Sequence, residues 1–138
     1  MSQLLPRIFE GKKNGRRLVA AGVGGELHEM GIRMVADLFE LDGWDTVYLG
    51  ANTPSSGIVR AISDMRPDIL AISATMTFHL GELESVIRDV RASAAQTLKI
   101  LVGGRILNSV QDLWQKTGAD GYGNDGVEAL QAAARLLE

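Results

Sequence analysis

The stretch Arg17-Leu18-Val19-Ala20-Ala21-Gly22-Val23-Gly24-Gly25-Glu26-Leu27-His28-Glu29-Met30-Gly31 decides the fold. The run from Leu18 to Val23 is continuously aliphatic or small, without polar alternation, which is the composition of a strand buried on both faces. It breaks on glycines, and a segment of helical period begins near Glu29 and runs to about Asp42, where Gly43 supplies the stop. Strand, glycine-rich turn and helix make one βα unit.

The same unit recurs outward from this stretch. Further strands are predicted at Thr46 to Leu49, Ile69 to Ser73, Lys99 to Val102 and, weakly, Asp120 to Tyr122. Further helices are predicted at Ser55 to Met65, Leu80 to Ala94, Leu107 to Thr117 and Gly126 to Leu137. Thr53 followed by Pro54 reads as an N-cap and first-turn proline, and Gly118 closes the fourth helix. Repeated βα units with short connections form right-handed crossovers, so the expected product is a doubly wound parallel sheet of five strands in the flavodoxin-like order 2-1-3-4-5. Ligands of such sheets sit at the carboxyl edge. The chain therefore divides into an arm or linker at 1–16, carrying Lys12, Lys13 and Arg16 toward its end, and one domain at 17–138.

Bulk properties limit the functions open to that domain. With 138 residues and 46% hydrophobic content, the chain can bury a substantial core. A net charge of −3 argues against a surface that neutralises many phosphates, so direct nucleic-acid contact is not expected. With no cysteine, thiolate nucleophiles, disulfides and zinc-thiolate sites are excluded, and any metal must take nitrogen or oxygen ligands. No segment reaches the roughly 20 apolar residues of a membrane span, and no cleavable leader is visible, so a cytoplasmic location is the expectation.

The chemistry-bearing residues lie in the loops after the strands. The turn after the first strand is glycine-rich but fails the dinucleotide pattern G-x-G-x-x-G, because Leu27 and His28 stand where its last glycine belongs. It places instead an imidazole at a helix entrance with the Glu26 carboxylate two residues before it. A metal-bound histidine commonly gives its second ring N–H to a carboxylate, so Glu26 and His28 fit a metal-holding pair as well as a solvated capping loop. After the third strand come Ser73, Thr75 and Thr77, followed by His79; after the fourth comes Gly103-Gly104. The acidic cluster and third-strand aspartate of a phospho-acceptor are missing.

Taken together and in this order, Glu26-Leu27-His28-Glu29-Met30-Gly31, then Ser73-Ala74-Thr75, then Gly103-Gly104, resemble the cobalamin-binding domain family of corrinoid proteins, methionine synthases and base-off mutases. The resemblance spans roughly 17–137 and implies a cobalamin, adenosyl- or methylcobalamin, bound with its own base displaced and His28 as the lower cobalt ligand. It further implies that Gly31 makes room for the cofactor's tail between the third and fourth strands. Ser73, Thr75 and Thr77 would line that tail with hydroxyls, and Gly103, Gly104, Tyr122 and Gly123 would border it, with Leu27 and Glu29 flanking the histidine.

Two positions depart from the family's usual motif. Glu26 replaces an aspartate, as in the light-sensing and transcription-regulating members, and His79 stands where methyl carriers often place a serine. On the strength of Glu26, the leading expectation is a cobalamin-binding module of a regulator or light sensor, with a missing upstream helical or effector domain or partner protein. The alternatives are the corrinoid carrier domain of a methyltransferase or mutase, a haem- or other tetrapyrrole-binding signalling domain on His28, or a scaffold with a vestigial site. In none of these is catalysis by the chain alone expected.

Overall fold

A computed structural model describes residues 15–23, 29–74, 80–93, 98–103, 113–123 and 126–137. Its strands are β1 (Arg17–Val23), β2 (Asp45–Thr53), β3 (Ile69–Ser73), β4 (Lys99–Gly103) and β5 (Gly121–Tyr122). Its helices are α1 (Glu29–Leu41), α2 (Ser55–Met65), α3 (Leu80–Ala92) and α4 (Gly126–Leu136), with a 3₁₀ helix at Leu113–Thr117. All pairings are parallel and the order is β2-β1-β3-β4-β5, as expected. No helix among the described residues is long and apolar enough to cross a membrane.

The sheet is buried on both faces because its strands are apolar at successive positions and alternate positions point opposite ways. One face, carrying Val19, Leu70, Ile72, Ile100 and Val102, packs on Ile58 and Ile62 of α2 and on Leu83, Val86, Ile87 and Val90 of α3. The other, carrying Leu18, Ala20, Ile69, Ala71 and Leu101, packs on Ile32, Ala36 and Phe39 of α1, on Trp44, and on Ala129, Ala132 and Ala133 of α4. Each fully buried large side chain, such as Ile58 or Phe39, contributes about 1.5–3 kcal/mol. The three alanines of α4 let that helix lie close to the sheet.

Three local expectations are corrected. Thr53 is not an N-cap: it ends β2, and its hydroxyl donates to the carbonyls of Leu49 at 3.3 Å and Gly50 at 2.9 Å, while Pro54 precedes α2 without a side-chain cap. The second strand is longer than its aliphatic run because Gly50, at φ 97°, carries it through an irregularity opposite Ala20 and Ala21. Thr117 and its neighbours form a 3₁₀ turn rather than the end of an α-helix, with the Thr117 hydroxyl donating to the Trp114 carbonyl at 2.6 Å. Positions 107–112 of that predicted helix lie outside the described residues.

Candidate functional site at the carboxyl edge

The register of the sheet builds a row of small residues at its carboxyl edge. Gly22 of β1 stands opposite Ser73 of β3, and Ser73 opposite Gly103 of β4. Gly123 continues the row beyond β5, its N–H donating to the Val102 carbonyl at 3.1 Å. By alternation these positions share the face of Leu18, Ala20, Ala71 and Leu101, which α1 and α4 cover.

Within this row the Ser73 hydroxyl is buried and has no hydrogen-bond partner among the described residues. A buried hydroxyl left unpaired costs about 1–3 kcal/mol, so it points to a bonding partner that the described chain does not supply. The indole N–H of Trp44 is also buried and without a hydrogen-bond partner among the described residues. Trp44 lies just before β2, at the amino edge, edge-on to Phe39 and beneath the Arg16 guanidinium, and belongs to the core rather than to this row.

The glycines of the row answer to the protein itself. A Cβ on Gly103 would come 2.9 Å from the Gly123 carbonyl oxygen, and a Cβ on Gly123 would come 2.7 Å from the Ala129 main chain. Gly103 and Gly123 are therefore required by the close passage of β4, the turn after β5 and α4, whether or not a ligand lies nearby.

The expected site residues are distributed as follows. The structure brings Ser73, Gly103 and Gly123 together in one row, and adds Gly22, which sequence reading left inside a strand. Counting alternate positions back from Ser73 and Gly103 could have found it only once the register was known. Glu29 opens α1 and Gly31 lies in its first turn, close after the β1 end of the row. Tyr122 is not brought to the row: it pairs with Val102, lies on the opposite face, and stacks on Trp114 with ring centroids 6.4 Å apart and planes at 9°. Glu26, Leu27, His28, Thr75, Thr77, His79 and Gly104 lie outside the described residues.

A protein-family model described as the B12 binding domain matches residues 16–131. Among curated proteins, the dimethylamine corrinoid protein of Methanosarcina barkeri is 28% identical over 138 residues, covering 99% of this chain and 63% of that protein. The trimethylamine corrinoid protein of the same organism is 29% identical over 142 residues, covering 96% and 64%. This chain thus spans somewhat less than two thirds of the length of these relatives. Among solved structures, a cobalamin-binding protein from Desulfitobacterium hafniense superposes with a TM-score of 0.82 at 23% identity, over 90% of this chain and 60% of that one. The monomethylamine corrinoid protein of Methanosarcina barkeri gives 0.77 at 24%, over 99% and 64%. At these identities the two superpositions show a shared fold.

Proposed function

Because the chain belongs to the B12 binding domain family, we propose that it is the corrinoid-carrying domain of a methyltransferase system, with His28 as the protein's ligand to cobalt. The observation that carries the binding site is the buried Ser73 hydroxyl at the carboxyl edge, which has no hydrogen-bond partner among the described residues. It offers a buried ligand a hydrogen bond where the fold family places its ligands.

The residues present fit that group. His28 would hold the metal through one imidazole nitrogen, and Glu26 would accept the N–H of the other, fixing the tautomer. Ser73, Thr75 and Thr77 would offer hydroxyls to the cofactor's tail, Gly31 would leave it room, and Gly103, Gly104 and Gly123 would border it. Leu27 and Glu29 flank the histidine. Tyr122, on the opposite face and stacked on Trp114, supports the chain before β5 instead. When bound, the corrinoid supplies the methyl-transfer chemistry, and the protein supplies binding and orientation.

The relatives reverse the order of the two leading readings. The regulator or light-sensor reading rests on Glu26, whereas the curated relatives named above are corrinoid proteins for methylamines. A separate methyltransferase protein that delivers and removes the methyl group is the partner this implies. The family match also favours a corrinoid over haem at His28.

The test is a visible absorption titration of the chain with hydroxo-, methyl- and adenosylcobalamin, alongside His28→Ala. Saturable spectral change that the substitution alters supports the reading, and the tightest form identifies the preferred upper ligand. No spectral change with any form overturns it. Methyl transfer from a methylamine in the presence of a partner enzyme distinguishes the carrier from a sensor, which would instead change its assembly on illumination.

A further inference from the structure

Among the described residues, three large hydrophobic side chains are exposed: Met34 at 59% and Leu41 at 38% on α1, and Val127 at 57% on α4. All three lie on the helical layer that covers one face of the sheet, and the layer of α2 and α3 has none. Met34, half-buried Leu38 and Leu41 recur at helical spacing, forming one stripe on α1 outside its buried row of Ile32, Ala36 and Phe39. Val127 extends the stripe onto α4, because Gly126 before it faces Leu38.

The stripe runs down to the amino edge, where the chain enters the sheet. Just past Leu41, the Trp44 N–H donates to the Phe39 carbonyl at 3.0 Å, and the Asp45 N–H donates to the Arg16 carbonyl at 2.8 Å. The Arg16 guanidinium lies over the Trp44 ring, 5.7 Å from its centroid. The buried indole N–H of Trp44 has no acceptor among the described residues, and a buried donor calls for one. Toward its end α1 also carries Asp37 and Glu40, followed by Asp42, with no basic residue in its last turn. Those carboxylates add to the negative end of the helix dipole and favour cations there.

The segment joined directly to Arg16 matches this surface in apolarity, charge and reach. Residues 1–14 lie outside the described residues; their sequence carries Leu4, Leu5, Ile8 and Phe9, two apolar pairs at four-residue spacing, and then Lys12 and Lys13. We propose that this arm docks across α1 of its own domain, with its apolar pairs on the stripe of Met34, Leu38, Leu41 and Val127 and its two lysines beside Asp37, Glu40 and Asp42. The arm's main chain, arriving at Arg16, supplies the acceptor for the Trp44 indole. Its length is sufficient, since Phe9 to Arg16 spans up to about 24 Å when extended, whereas Leu41 to Met34 is about 10 Å of helix. The arm is then a clasp on the layer of α1 and α4 rather than a free linker.

Trypsin reads the arm directly, because cleavage after Lys12 and Lys13 tracks the undocked population. The experiment compares the full unaltered chain with Leu5→Ser/Phe9→Ser, with Met34→Gln/Leu41→Gln and with the combination of both pairs. Mass spectrometry follows cleavage after Lys12 and Lys13 against cleavage after Arg60 and Arg88, which lie within α2 and α3. Each pair is expected to speed arm cleavage about 10-fold and the combination by about the same factor, because both pairs remove one shared contact. Cleavage after Arg60 and Arg88 should stay unchanged, since Met34 and Leu41 are exposed and the core is untouched. Arm cleavage that ignores the α1 pair, accelerations that multiply in the combination, or equal acceleration at Arg60 and Arg88 overturns the inference. So does a dimer in sedimentation that Met34→Gln/Leu41→Gln abolishes, which would assign the stripe to a second copy of the chain. None of these readings depends on corrinoid binding.

Discussion

The carboxylate of Asp120 accepts the main-chain N–H of Ile100 at 2.7 Å. Asp120 precedes β5 and Ile100 belongs to β4, so the side chain continues the sheet's hydrogen bonding at its amino edge. Asp68 does the same before β3, accepting the N–H of Arg17 at the start of β1 at 2.9 Å. Arg91 adds a bond to the Asp120 carboxylate at 2.7 Å and others to the carbonyls of Gly118 and Leu98.

Removing the acceptor leaves a partly buried N–H unpaired, so Asp120→Ala is expected to lower stability by about 1–3 kcal/mol. Asp120→Asn retains an acceptor and should cost less. Arg91→Ala should cost less than Asp120→Ala, because the Arg91–Asp120 pair is partly open to solvent, with side chains 37% and 26% exposed. Urea denaturation of the three variants gives this order; an Arg91→Ala cost exceeding that of Asp120→Ala would show that the guanidinium, rather than the carboxylate, holds the edge.

Ser73 separates folding from binding. Its hydroxyl has no partner among the described residues, so Ser73→Ala should stabilise the ligand-free chain by up to about 1–3 kcal/mol, the cost of leaving that hydroxyl unpaired. The same change should weaken cobalamin by about 2- to 10-fold if that hydroxyl bonds the tail. Thermal melts paired with absorption titrations read both quantities, and a variant that is less stable yet binds unchanged would place the hydroxyl's partner within the protein.

Gly103 behaves oppositely. Its missing Cβ leaves room for the Gly123 carbonyl, so Gly103→Ala is expected to destabilise the ligand-free protein by about 1–3 kcal/mol before any ligand is added. An unfolding midpoint equal to that of the unaltered chain would mean that the β5 turn gives way freely.

Arg66 is the one residue other than glycine that adopts positive φ among the described residues, at φ 48° as the C-cap of α2. A left-handed conformation costs a residue with a Cβ about 1–2 kcal/mol, offset in part by the greater freedom of glycine in the unfolded chain. Arg66→Gly should therefore raise stability by about 0.5–1 kcal/mol. A loss on calorimetric unfolding would indicate that the arginine side chain contributes more than its backbone costs.

Much of the architecture follows from local pattern. The aliphatic runs at Leu18 to Val23, Ile69 to Ser73 and Lys99 to Val102 are contiguous, which only a strand covered on both faces tolerates. The helical segments between them force parallel crossovers, and these lead to the strand order and to a carboxyl-edge site. The positions of Ser73 and Gly103 at the ends of buried strands are likewise legible, whereas Glu26 and His28, the residues that carry the metal-holding expectation, lie outside the described residues. Thr53-Pro54 misled, since a threonine can satisfy carbonyls behind it as readily as amides ahead of it.

What only the tertiary structure decided is which residues share a face and a height. Ser73 and Tyr122 both lie at strand ends, yet the pairing of β5 with β4 turns Tyr122 toward Trp114 and leaves Ser73 in a row with Gly22 and Gly103. The contact between Leu38 of α1 and Gly126 of α4 is equally invisible in the chain. Periodicity assigns a residue to a strand or a helix from its neighbours in sequence, whereas register and helix seating are set by contacts between segments far apart. A shift of one residue there would exchange every face.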